Sequence, residues 1–132
     1  MRPPRALIVE DDLPTREALR KVLDREGCEI DLATDGQKAI GCLAQHRYDV
    51  ILLDIVLPKI SGTEVMEYIA STTPEALECV IVVTGLEVGE IRKLFPSVRD
   101  ALAKPVMPTR LLASVRRCLA RDNTRQSGVS VA

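Results

Sequence analysis

The chain has 132 residues, 46% hydrophobic and 28% charged, which suffices for one domain with a single core and excludes two full ones. Lysine and arginine number 18 against 19 aspartates and glutamates, so with a formal net charge of −1 no overall field draws the chain to nucleic acid or an anionic membrane. Aromatic residues make up 2%, which removes the stacking platforms of single-stranded nucleic-acid binders and leaves an aliphatic core to be expected.

The opening Met1-Arg2-Pro3-Pro4-Arg5 leads into an apolar stretch too short for a signal peptide, and no run of roughly 18 apolar residues follows, so a cytoplasmic protein is expected. Ala6-Leu7-Ile8-Val9 is a short, β-rich apolar run and reads as a first strand. Ala18, Leu19, Val22 and Leu23 then recur at helical spacing, with Asp12 as N-cap, Pro14 in the first turn and Gly27 as the stop. A second strand follows over Glu29 to Ala33. After the turn signal Asp35-Gly36 a second helix carries Ala39, Ile40, Leu43 and Ala44.

Val50-Ile51-Leu52-Leu53 is the third strand, and Val65, Met66, Ile69 and Ala70 mark a third helix after Gly62. Val80-Ile81-Val82-Val83 is the fourth strand, followed by a helix over Val88 to Leu94 and a fifth strand over Asp100 to Ala103. Leu111, Leu112, Val115 and Leu119 form the stripe of a last helix after Pro108, with Arg110, Arg116, Arg117 and Arg121 off that stripe. From Asp122 the sequence turns polar and aperiodic and reads as a flexible tail or linker stub over 122–132. The three central runs do not alternate, so both their faces are covered. The repeated strand and helix order therefore predicts an α/β fold, a parallel five-stranded sheet in a three-layer sandwich.

Cys28, Cys42, Cys79 and Cys118 are widely spaced, with no Cys-x-x-Cys pair and a single histidine, His46, so zinc is not expected and reduced, core-packed thiols are.

Ligands of an open parallel sheet sit beyond the carboxyl ends of its strands. There the chain places Glu10-Asp11-Asp12, Asp54, Thr84 and Lys104-Pro105. Any one such carboxylate is commonly a helix cap, as Asp12 is expected to be, but acid, acid, hydroxyl and lysine on four strand ends form a set. Crowded carboxylates without nearby His or Cys call for a hard divalent cation, Mg²⁺ or Mn²⁺ as its substitute, in octahedral geometry. With that cation the set can hold a phosphoryl group. Asp54 attacks, Lys104 neutralises equatorial oxygens and Thr84 donates to a third.

Leu7-Ile8-Val9-Glu10-Asp11-Asp12, Asp49-Val50-Ile51-Leu52-Leu53-Asp54 with Leu57-Pro58 and Ser61-Gly62, Thr84-Gly85 and Lys104-Pro105 together resemble the receiver domain of two-component response regulators. The resemblance takes in residues 5 to 121 as one phosphoacceptor domain. It implies a flavodoxin-like, doubly wound (βα)5 fold with strand order 2-1-3-4-5, and phosphotransfer to Asp54 from a histidine kinase or phosphotransfer protein. It further implies Mg²⁺ held by Asp11, Asp54 and the backbone carbonyl of Val56, with Glu10 acting through water, and a cis Lys104-Pro105 bond. The partners implied are that kinase, an effector protein or domain, and a second copy meeting it through the fourth helix, fifth strand and fifth helix. The protein is expected to be a switch, with self-phosphorylation and slow self-dephosphorylation at most.

The sequence departs from the family in the spacing from Thr84 to Lys104, which is shorter than in most relatives, in Phe95-Pro96, which interrupts the end of the fourth helix, and at three side chains. Receivers usually carry an aromatic residue three positions before the lysine, and here it is Ala101, whose methyl group cannot drive the usual threonine-to-aromatic relay. The residues two beyond the aspartate and two beyond the threonine, which flank the path of the hydrolytic water in the family, are Val56 and Leu86, and neither can orient a water. Ala101 and the altered fourth helix motivate an alternative, a receiver-like interaction module that signals without phosphate. A haloacid-dehalogenase-like phosphatase is disfavoured because it wants an aspartate where Val56 stands, and a P-loop nucleotidase because no Gly-x-x-x-x-Gly-Lys-Ser/Thr occurs. Residues 99–125 hold seven basic residues against two acidic ones, but a solvated helix face explains this without DNA binding, and no nucleic-acid partner is expected.

Overall fold

A computed structural model describes residues 2–128, with side chains as far as Ala120. In chain order the elements are β1 (Arg5–Val9), α1 (Leu13–Arg25), β2 (Glu29–Ala33), α2 (Gly36–Gln45), β3 (Val50–Leu53), α3 (Gly62–Thr72), a 3₁₀ turn (Pro74–Cys79), β4 (Val80–Thr84), α4 (Val88–Leu94), β5 (Asp100–Ala103) and α5 (Pro108–Gly128). The five strands are parallel in the order β2-β1-β3-β4-β5, the flavodoxin-like arrangement that the resemblance implies. α5 runs on to Gly128, into the stretch from Asp122 that reads as a tail in the sequence. The rest of that tail, 129–132, lies outside the described residues. Among the described residues no helix is long and apolar enough to cross a membrane.

The period-2 geometry of the strands divides the core into two layers. Leu7, Val9, Ile51, Leu53, Val80 and Val82 point to one face, where Ala39 of α2, Val65, Met66 and Ile69 of α3 and Ile91 of α4 cover them. Ala6, Ile8, Val50, Leu52, Ile81 and Val83 point to the other, against Leu19 and Leu23 of α1 and Leu111, Val115 and Cys118 of α5. Each fully buried leucine or isoleucine contributes about 1.5–3 kcal/mol, so this double-sided burial is what holds β1, β3 and β4 at the centre. β2, by contrast, is an edge strand with exposed Glu29 and Leu32.

Helix starts follow the caps that the sequence provides. Asp12 accepts from the Thr15 amide at 3.0 Å, Asp35 from the Lys38 amide at 2.8 Å and Ser61 from the Glu64 amide at 3.3 Å. Gly27, with φ of 76°, ends α1 in the left-handed region. No disulfide joins the four cysteines, and burial pushes the Cys28 and Cys118 thiols up to about 11 and about 12, as inert core residues should be.

Candidate functional site

β1 feeds β2 on one side and β3 lies on its other side, so the connections diverge between β1 and β3 and leave a crevice at their carboxyl ends. Glu10 and Asp54 are the first residues past those two strands, and they are tied side by side by the sheet. The Asp54 amide donates to the Val9 carbonyl at 3.0 Å and the Glu10 amide to the Ala33 carbonyl at 3.0 Å. Glu10 is 1% exposed and Asp54 5%, whereas Asp11 faces solvent. Carboxylate oxygens of Glu10, Asp11 and Asp54 all lie within 4.8 Å of one another.

Lys104 reaches this cluster from the end of β5. Its Nζ donates to Asp54 Oδ2 at 2.8 Å and lies 2.7 Å from Glu10 Oε1. The second contact is an ion pair without hydrogen-bond alignment, so the buried Glu10 Oε1 keeps a lone pair without a donor. Thr84 closes β4, fully buried, and its carbonyl accepts the Lys104 amide at 2.9 Å, which fixes the two strand ends together. Its hydroxyl accepts from the Leu86 amide at 3.3 Å. Val56 joins the mouth through its amide, which donates to Asp54 Oδ1 at 3.1 Å. The Lys104–Pro105 peptide is cis.

The electrostatics follow from burial against proximity. Desolvation pushes Glu10 above its ordinary 4.5, more than the nearby Lys104 and the Asp12 amide hold it down. Desolvation also works against the Lys104 ammonium, but its contacts with Asp54 and Glu10 outweigh that and its pKa is raised. One ammonium faces three carboxylates. That excess of negative charge, an all-oxygen donor set and an unaligned lone pair on Glu10 fit a hard divalent cation such as Mg²⁺.

One contributor, Arg16, is not among the residues read from the sequence, and a second, Gly62 of the Ser61-Gly62 motif, shows its role only in the structure. The Arg16 guanidinium, one turn into α1, donates to the Glu10 and Asp11 carbonyls at 3.1 and 3.3 Å and so pins the acidic turn. Gly62 brings the start of α3 against the backbone just past β3: a Cβ there would stand 2.4 Å from both the Asp54 carbonyl oxygen and Ile55 Cα. An arginine in the turn after an acidic run was the only signal for the first.

The sites of departure are equally plain. Ala101 is buried in the layer with Ile91 and Val98, with Phe95 packed against it. Val56 and Leu86 stand 57% and 47% exposed, two apolar side chains on the loops that follow β3 and β4.

Residues 6–116 match the family model described as the response regulator receiver domain. The chain is 33% identical over 128 residues to a protein named response regulator MprA from Mycobacterium avium, covering 97% of this chain and 56% of that protein. It thus spans about half the length of the curated relatives it matches. A CheY-like receiver domain protein from Methanospirillum hungatei superimposes with a TM-score of 0.82 at 26% identity, over 94% of this chain and 99% of that one. The response regulator DrrB of Thermotoga maritima, titled an OmpR/PhoB homologue, does so with a TM-score of 0.78 at 28% identity, over 92% of this chain and 54% of that one.

Proposed function

The chain belongs to the response regulator receiver domain family, and from that premise we propose that it accepts a phosphoryl group on Asp54 and passes the change to a partner through the surface of α4, β5 and α5. The observation that carries this is the convergence of a lysine ammonium and a second buried carboxylate on Asp54, at 2.8 and 2.7 Å from one Nζ.

An Asp54 oxygen forms a bond to phosphorus as the bond to the donor breaks. The donor is the imidazole nitrogen of a phosphohistidine on a kinase or phosphotransfer protein, or the acyl oxygen of a small donor. The leaving group keeps the bonding pair; an imidazole nitrogen then takes up a proton, whereas the carboxylate of a small donor departs as the anion. Glu10, Asp11, Asp54 and the Val56 carbonyl are the residues to hold Mg²⁺, which when bound offsets charge on the phosphoryl oxygens. Lys104 leaves its ion pair with Asp54 to follow the new negative charge, and Thr84 turns its hydroxyl from the Leu86 amide to donate to a phosphoryl oxygen. The chain acts as a switch, in the cytoplasm, without turning over a substrate of its own.

Beryllofluoride, a mimic of the phosphoryl group, tests this. Thermal unfolding is expected to shift upward when Mg²⁺ and beryllofluoride are both present, by more than the sum of either alone. No shift beyond Mg²⁺ alone would favour the second reading, an interaction module independent of phosphate, for which the buried Ala101 speaks.

The lifetime of the aspartyl phosphate follows from Val56 and Leu86. With no polar group there to position water, loss of phosphate is expected to be slow, and Val56→Asn with Leu86→Glu to hasten it by about 10²-fold, the lower end for a positioned proton-transfer group. The decay of phosphoprotein after donor removal measures it; fast decay unchanged in the double variant contradicts the account.

A further inference from the structure

Asp100, the first residue of β5, is a carboxylate that the phosphoacceptor site does not use. It is 3% exposed, yet three arginines from two helices reach it. Its Oδ1 accepts from Arg92 of α4 and from the Ala101 amide at 2.9 Å. Its Oδ2 accepts from the Ser114 hydroxyl and from Arg117 at 3.2 Å, and Arg110 lies 3.7 Å away. The hydrogen bonds and cations outweigh desolvation and hold the Asp100 carboxyl below 3.8, so it stays an anion at neutral pH. The side chains of Arg92, Arg110 and Arg117 are themselves 49%, 60% and 60% exposed.

One buried anion therefore gathers three guanidiniums at a single surface point, with their outer donors turned to water and a surplus of two positive charges. Such a fork of donors, already ordered by its buried anchor, matches carboxylates presented in pairs.

We infer that the face formed by α4, β5 and α5 binds an acidic segment of a different protein, whose carboxylates meet Arg92, Arg110 and Arg117 gathered over the buried Asp100. This rests on the reading of that face as the output surface. A second copy fits poorly, because a twofold contact sets equal positive clusters against each other. Of the described acids in and next to α4, Glu90 lies 3.6 Å from Lys93, which leaves Glu87, the residue before the helix, to meet three guanidiniums. Duplex DNA fits poorly too, since its phosphates call for a row of cations along a path, and these three converge on one point.

The test is fluorescence anisotropy with a labelled glutamate-rich helical peptide, its Glu→Gln counterpart and a labelled DNA duplex, each at two salt concentrations. The glutamate peptide is expected to bind. Arg92→Gln with Arg110→Gln and Arg117→Gln is expected to weaken it about tenfold or more, since three charge-assisted contacts are lost. Arg2→Gln with Arg25→Gln and Arg47→Gln, which changes net charge equally at other exposed positions, should leave it within about twofold, because exposed charges beyond a Debye length are screened. Arg110→Gln alone, the most distant of the three from Asp100, gives a few-fold loss and serves if the triple variant does not fold. No binding of the glutamate peptide, equal binding of the glutamine peptide, an equal loss in the control triple, tighter binding of the duplex, or a dimer that the first triple abolishes would each overturn the inference. Mass spectrometry of the same samples with acetyl phosphate separates the two readings: peptide binding without an adduct removes the phosphoacceptor reading alone, and an adduct without peptide binding removes this one.

Discussion

Replacing Lys104 by alanine is expected to slow phosphoryl uptake by Asp54 on the order of 10²–10³-fold, the cost of removing one preorganised cationic donor from a site where charge develops. The reason lies in the count of charges. Nζ is the sole cation within ion-pair distance of Asp54 among the described residues, and it contacts Glu10 as well. Without it, two buried carboxylates face each other uncompensated, so the metal-free variant should also melt lower, and Mg²⁺ should restore more stability to it than to the parent protein. Uptake from acetyl phosphate followed over time, with melting curves at increasing Mg²⁺, measures both effects. An unchanged rate would mean that Lys104 is a structural counter-ion only.

Gly62→Ala should be the most damaging single-methyl change near the site. The added Cβ would overlap backbone, at 2.4 Å from the Asp54 carbonyl oxygen and from Ile55 Cα and 2.9 Å from the Ile55 carbonyl oxygen, and no side chain can rotate away to relieve it. Overpacking costs about 1–3 kcal/mol and more where backbone must move, so a melting point several degrees lower is expected. The segment that must shift carries the phosphoacceptor, hence uptake should fall as well. Gly41→Ala is the control, because nothing stands within 4 Å of a Cβ there. Its better helix propensity should leave stability unchanged or slightly raised.

Both predictions depend on contacts of different legibility. β1, β3 and β4 could be read from their unbroken apolar runs because central parallel strands are covered on both faces, and the site residues because each is the residue at or just after a strand end. The helix starts were legible for a local reason: Asp12, Asp35 and Ser61 cap within three residues of themselves. β2 gave a weaker signal since its edge position leaves it half solvated. The 3₁₀ turn over Pro74–Cys79 has no periodicity long enough to register. Gly62 reads as a turn glycine, and only the path of β3 reveals that the Asp54 carbonyl occupies the place of its side chain. Asp100 reads as a strand residue in a short apolar run. Its partners Arg92, Arg110, Ser114 and Arg117 come from two helices, and no spacing rule in the sequence joins them.

The most direct test of the central claim, that Asp54 within the Glu10, Asp11 and Lys104 cluster is a metal-dependent phosphoacceptor, is the intact mass of the protein after incubation with acetyl phosphate. One phosphoryl adduct is expected with Mg²⁺, lost on chelation and missing from Asp54→Asn. A folded, Mg²⁺-loaded protein that takes up no phosphoryl group, or one whose adduct persists in Asp54→Asn, would contradict it.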